Sequence, residues 1–167
     1  MTDLTSARIP GLRDDDHVRG DPAAPLVVFY GDFTCPRCLV GYDRLRGVPV
    51  RVVFRHLALR AKHQRALALA HAAEAAALQD AFWPFHDSLY EDAGRIDDPH
   101  LWARCAALGL DVARFDEDRR SEAVASRVNR DVRDALRSGA TATPTVWIDG
   151  VRHDGPPPAG VLPDPVP

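Results

Sequence analysis

Apolar residues gather into three kinds of run along the chain, and each kind predicts a different element. Leu26-Val27-Val28-Phe29-Tyr30 is continuously apolar between Pro25 and Gly31, the pattern of a strand buried on both faces. Val50 to Phe54 (VRVVF) is rich in β-branched residues and predicts a second strand. Between them, Pro36 suits the first turn of a helix, where its missing N–H is not needed. Leu39, Val40 and Leu45 continue that helix to about Arg46, and Gly47 and Pro49 stop it. A helical crossover connects parallel strands, so the two strands are expected to run parallel.

The second kind of run is helical. Leu59 to Leu78 is rich in Ala and Leu with almost no β-branched residues. Asp80 can cap a following helix with Pro84 in its opening turn, running to about Glu91. Asp98-Pro99 opens a third helix that Gly109 closes, and Asp111 caps a short fourth. Ser121 to Arg137 forms a fifth, with Val124, Val128, Val132 and Leu136 as an apolar stripe, and Gly139 ends it. The last run is extended: Thr145 to Ile148, the turn signal Asp149-Gly150, then Val151 to His153, together a hairpin. From Pro156 the tail PPPAGVLPDPVP reads as a linker. The predicted fold class is α/β: a small mixed sheet from residues 20–57 and 139–155, a helical insertion over 58–138, and a Pro-rich tail over 156–167.

Composition narrows the class further. At 167 residues and 46% apolar content the chain suits one packed domain. The formal net charge of -3 gives no basis for binding a phosphate backbone, so no nucleic-acid partner is expected. The first residues lack an apolar signal-like segment, and no run approaches the ~18 apolar residues of a membrane span. A cytoplasmic address without a membrane partner is therefore the expectation. In that compartment thiols stay reduced, and a close cysteine pair is more often catalytic or metal-binding than structural.

Such a pair stands in Gly31-Asp32-Phe33-Thr34-Cys35-Pro36-Arg37-Cys38, just past the first strand. Cys35 falls at a helix N-terminus, where unpaired N–H groups and a partial positive charge stabilise a thiolate. Cys38 lies one turn along the same face, near enough to attack a mixed disulfide formed at Cys35. Arg37 adds a fixed positive charge that is expected to lower the Cys35 pKa further. Cys35 thus reads as the attacking thiol and Cys38 as the resolving one. Two other readings stand beside this. A staple closing so short a loop removes only about 2 kcal/mol of denatured-state entropy. A metal half-site needs two more ligands, and Cys105 and the seven His residues show no matching spacing. No metal is expected.

At these residues the sequence resembles the DsbA-like branch of the thioredoxin-fold oxidoreductases. Besides GDFTCPRC, the lead-in DHVRGDPAAPLVV, the strand exit FRHLAL, the stretch FWPFHDSLY and the segment ATPTVWIDG, at Ala142 to Gly150, carry the likeness. The resemblance implies a thioredoxin fold with an inserted all-helical subdomain and a cis bond before Pro144. It also implies that the Thr143 backbone docks a substrate, which would be a thiol- or disulfide-containing protein or a low-molecular-weight thiol. No cofactor is implied beyond the Cys35–Cys38 dithiol. Rival readings are a thiol-dependent isomerase or transferase of the same fold and a redox-idle binding module.

Three departures accompany the likeness. Phe29 stands six residues before the first cysteine, where similar enzymes usually carry a buried carboxylate, and Asp32 lies on the strand-end loop. The dipeptide between the cysteines is Pro-Arg, where strongly oxidising relatives carry Pro-His. The prolines from Pro156 to Pro158 forbid the closing helix, so the tail or a second copy in a homodimer is expected to cover the face left bare. Phe82, Trp83 and Phe85 read as core aromatics of the insertion and Cys105 as a buried inert thiol. His56, His63, His71 and His86 read as surface or capping residues, and the resemblance implies a structural part for His56 and His86.

Overall fold

A computed structural model describes residues 10–59 and 63–165. Five strands form one sheet in the order β1-β3-β2-β4-β5. They are β1 (His17–Arg19), β2 (Leu26–Gly31), β3 (Arg51–His56), β4 (Thr145–Ile148) and β5 (Val151–Asp154). Helix α1 (Pro36–Leu45) crosses between β2 and β3, which pair in parallel with Phe29 opposite Phe54. The hairpin forms as expected: Asp149 and Gly150 both adopt positive φ, the backbone of a tight turn matched to strand twist.

Alternation along β2 distributes its side chains to two cores. Val27 and Phe29 join Tyr42, Phe54, Phe85 and Tyr90 on the face covered by α1 and the insertion. Val28 and Tyr30 join Val53, Trp147 and Ala135 on the other. Between β3 and β4 the chain forms α2 (Ala66–Ala77), α3 (Phe82–Glu91), α4 (Asp98–Ala107), α5 (Val112–Asp118) and α6 (Glu122–Arg137). Asp97, Asp111 and Ser121 cap α4, α5 and α6 by accepting from backbone N–H groups.

Several expectations need correction. Strand β1 had no counterpart in the sequence reading; it is short, half-buried and held antiparallel to β3 at the sheet edge. Helix α2 begins at Ala66 instead of Leu59, because Leu59 still packs on the second sheet face as the chain leaves β3. Asp80 does not cap α3; it adopts a left-handed φ of 58° where α2 ends, and Ala81 takes the cap position. The valine stripe on α6 holds only at its start. A four-residue step overshoots a 3.6-residue turn by about 40°, so Val124 and Val128 are buried, Leu136 is exposed, and Asp131 and Ala135 take over the inner face.

The tail read as a linker is also corrected. It returns over α1 with a short 3-10 turn at Ala159–Val161, Pro157 buried and Leu162 packed on the core cluster that includes Phe29. Arg44 Nη1 donates to the Pro157 carbonyl at 2.9 Å. The prolines exclude a helix but leave apolar side chains to cover the α1 face.

Buried charge ties the lead-in and α2 to the sheet. Arg55, 1% exposed, donates to both carboxylate oxygens of Asp16 at 2.8 and 2.6 Å and to the Tyr30 hydroxyl at 2.9 Å. Glu74 of α2 accepts from His17 at 2.7 Å and from His56 at 2.8 Å. His56 and His86 are buried core residues, which fits the structural part implied for them and corrects their reading as surface or capping groups. Cys105 is buried in α4, and burial pushes its thiol up to about 11.

Candidate active site

The exit of β2 places the dithiol. At Gly31 a side chain would collide with the rings of Phe29 and Phe54, so glycine leaves room for both rings at the strand exit. The Asp32 carboxylate then accepts from the Thr34 N–H at 2.8 Å and from its hydroxyl at 2.7 Å, and the Cys35 N–H donates to the Asp32 carbonyl at 3.2 Å. This tight turn leaves Cys35 in extended backbone at the N-cap of α1, with Pro36 at the first helical position. The N–H groups of Cys38 and Leu39 donate back to the Cys35 carbonyl.

Cys35 is 7% exposed and Cys38 fully buried, and both are free thiols. Their environments push the two acidities apart. The Cys38 thiol, hydrogen-bonded to Cys35, is the largest influence holding the Cys35 pKa down at about 5, against burial. The Thr143 side chain and the N–H groups of Cys38 and Arg37 act in the same direction. Burial, first, and the neighbouring Cys35 drive the Cys38 pKa far above the ordinary thiol range. A hydrogen bond from the Asp32 N–H to Cys38 Sγ, at 3.4 Å, opposes that rise.

From across the sheet, the segment before β4 completes the site. The Thr143–Pro144 peptide bond is cis, and the Thr143 carbonyl accepts from Cys35 Sγ at 3.4 Å. The Pro144 carbonyl accepts from the Gly155 N–H at 2.8 Å, and Thr145 Oγ1 donates to the Ala142 carbonyl at 2.7 Å. These bonds fix the loop that faces the sulfur.

The structure thus brings Cys35, Cys38, Thr143 and Pro144 together, with Pro36 opening α1. Arg37 needs a correction. Its guanidinium lies against Gly155, in the space a side chain there would occupy, and its hold on the Cys35 thiolate comes through the backbone N–H. Phe29, at the position where a carboxylate was looked for, fills the gap between Gly31 and Gly41 with its ring.

Residues to which the sequence reading gave no part in the site border the pair. Asp32 is 2% exposed, and burial raises its pKa while its Thr34 hydrogen bonds pull the other way. Tyr90 of α3 is buried with its hydroxyl donating to the Asp32 carbonyl at 3.4 Å. The signal for Asp32 was present in Asp-x-Thr directly before a helix start, a turn that folds the carboxylate inward. His86 packs edge-on against Phe33, Phe54 and Tyr42, and burial holds it down at about 4. Among the described residues, no three His, Cys, Asp or Glu side chains converge as a metal site.

A dithiol at a helix N-terminus, opposed by a cis-proline loop, defines a thioredoxin-type redox domain. The family model of the DSBA-like thioredoxin domain matches residues 26–159, and the chain belongs to that family. Its fold is similar to a thioredoxin-like oxidoreductase from Silicibacter pomeroyi, at 22% identity and a TM-score of 0.79, covering 89% of this chain and 88% of that one. It is also similar to Pseudomonas aeruginosa DsbA2, at 27% identity and a TM-score of 0.70, covering 91% and 92%. Among curated proteins, the Na(+)/H(+) antiporter NhaA 1 of Mycolicibacterium vanbaalenii is 41% identical over 152 residues, which is 86% of this chain and 25% of that protein. The chain spans about a quarter of the length of the curated relatives it matches.

Proposed function

We infer that the domain exchanges disulfides with protein or small-molecule thiols through Cys35 and Cys38. The observation that carries this reading is the placement of two free thiols within one helical turn, Cys35 at the helix N-terminus facing Thr143 and Cys38 fully buried behind it, which splits their acidities. Cys35 is a thiolate at neutral pH and can attack a disulfide. Cys38 stays protonated and waits to resolve the mixed disulfide. The carbonyl of Thr143, beside Pro144, offers backbone to an extended peptide as its sulfur reaches Cys35. The dithiol itself carries two electrons, so the reading calls for no further cofactor.

A cytoplasmic setting is part of this proposal. So is the class of partner: because the longer relatives bear the name of sodium/proton antiporters, we include thiols on or beside a membrane transporter among the substrates. The test is replacement of Cys38 by Ser. The variant should accumulate mixed disulfides at Cys35 that the unaltered protein releases, read by mass after alkylation. A native protein that forms no Cys35–Cys38 disulfide in glutathione buffers would overturn the reading and leave a binding module of the same fold.

A further inference from the structure

The backbone N–H of Arg37 steadies the Cys35 thiolate, while its guanidinium lies exposed against Gly155. The positive φ of 132° at Gly155 suits glycine, and a Cβ there would overlap the guanidinium, so the bare backbone makes a seat for that one side chain. The Gly155 N–H also donates to the Pro144 carbonyl at 2.8 Å, and the residue before Pro144 turns its own carbonyl to Cys35 Sγ at 3.4 Å. The guanidinium therefore sits on the rim of the loop that a substrate meets on its way to the sulfur.

No carboxylate among the described residues pairs with Arg37. Asp154, next to its seat in the chain, is held by Arg152 at 3.3 Å, and Arg46, at the other end of α1, has Glu91 at 3.6 Å. A guanidinium seated in this way has already lost part of the rotamer freedom that weakens exposed ion pairs. Its planar fork matches a carboxylate with two parallel N–H donors, a geometry that an ammonium cannot offer.

We propose that Arg37 is a specificity-determining residue that favours substrates carrying an acidic side chain beside the reactive cysteine. The assignment rests on the exchange reading above. The Cys35 thiolate alone would repel an acidic neighbour, and Arg37 reverses that preference by pairing with the carboxylate as the peptide docks along Thr143. In the step concerned, the thiolate attacks the peptide sulfur of a mixed disulfide. A bond forms between Cys35 Sγ and that sulfur, the old S–S bond breaks, and the other sulfur leaves as a thiolate with the electron pair. The exchange is completed when Cys38 gives up its proton to solvent and displaces the peptide as a second thiolate. Two electrons have then passed from the dithiol to the substrate, and the dithiol has become a disulfide.

The experiment uses two peptides of one sequence, with Glu or with Lys on both sides of a single cysteine. Each is joined through that cysteine to thiopyridine, an uncharged aromatic thiol whose release is followed by absorbance after rapid mixing with the reduced full chain. The aromatic thiol is the more acidic and leaves in preference to the peptide. At low salt the Glu peptide should react about fivefold faster than the Lys peptide, the factor that ~1 kcal/mol of exposed ion pairing supplies. The ratio should shrink toward one in about 1 M salt. Taking the ratio within each variant removes any change in the reactivity of the thiolate itself. Arg37→Gln should bring it to one or below, and Arg37→Glu should favour the Lys peptide. A native ratio of one or less, or a ratio in Arg37→Gln equal to the native one, overturns the assignment while leaving the exchange reading intact. Native protein that releases thiopyridine from neither peptide overturns both.

Discussion

Cys35 and Cys38 carry the same side chain, yet one turn of helix separates a thiolate from a thiol that holds its proton throughout the physiological range. Alkylation of the reduced protein by iodoacetamide should therefore label Cys35 first, with a rate that rises through a midpoint near pH 5. A midpoint near 9, the ordinary value, would mean that Cys38, Thr143 and the helix end do not stabilise the thiolate. Because folding lowers this pKa, Cys35 adds to the stability of the reduced form fully above pH 9 and loses that contribution as pH falls through about 5. The spacing of the pair and its place before a helix were legible in the sequence, since both follow from local pattern. The turn that folds Asp32 inward was legible in Asp-x-Thr, but the burial of Asp32 was not, because it depends on Tyr90, a contact that arises only once the insertion closes over β2. Arg37 was misjudged for the complementary reason: its long side chain has a choice of directions, and Gly155 leaves room for one of them.

Among the elements, β2, β3, α1 and the hairpin were readable because each carries its own periodicity and punctuation. Strand β1 was not, as three residues of mixed polarity hold no pattern and its pairing partner lies far along the chain. What fixes it is the Glu74 carboxylate, which joins β1, β3 and α2 through His17 and His56. Burial opposes ionisation of Glu74, but the two histidines win and its pKa falls far below the usual carboxylate range. The contribution is therefore fully present above about pH 4.5, the unfolded value, and fades as pH drops toward the folded one. Glu74→Gln should lower stability by about 3 kcal/mol at neutral pH, by analogy with removing one partner of a buried ion pair. Urea unfolding should show the gap to native protein narrowing toward pH 2, and a gap independent of pH would mean that Glu74 acts through packing alone.

For the molecule as a whole, the order of elements gave the architecture, whereas the tail was legible only in what it could not be. Its prolines exclude a helix, but the docking of Pro157 and Leu162 over α1 depends on an apolar face that local sequence does not display. Ending the chain after Gly155 should lower stability by about 2 kcal/mol, the value of re-exposing one large apolar side chain and its neighbours. Size-exclusion chromatography of the same shortened chain would show whether the uncovered face then joins two copies. Unchanged urea unfolding would mean that the tail rests on α1 without holding it. The sheet's two rims carry a separate consequence. Strand β1 has three residues and β5 four, and charged side chains at Arg19, Arg152 and Asp154 mark them. Such stubs give a passing unfolded chain little backbone to align with. The backbone turned toward the reactive sulfur is therefore that of Thr143, beside an inner strand, and neither rim competes with it.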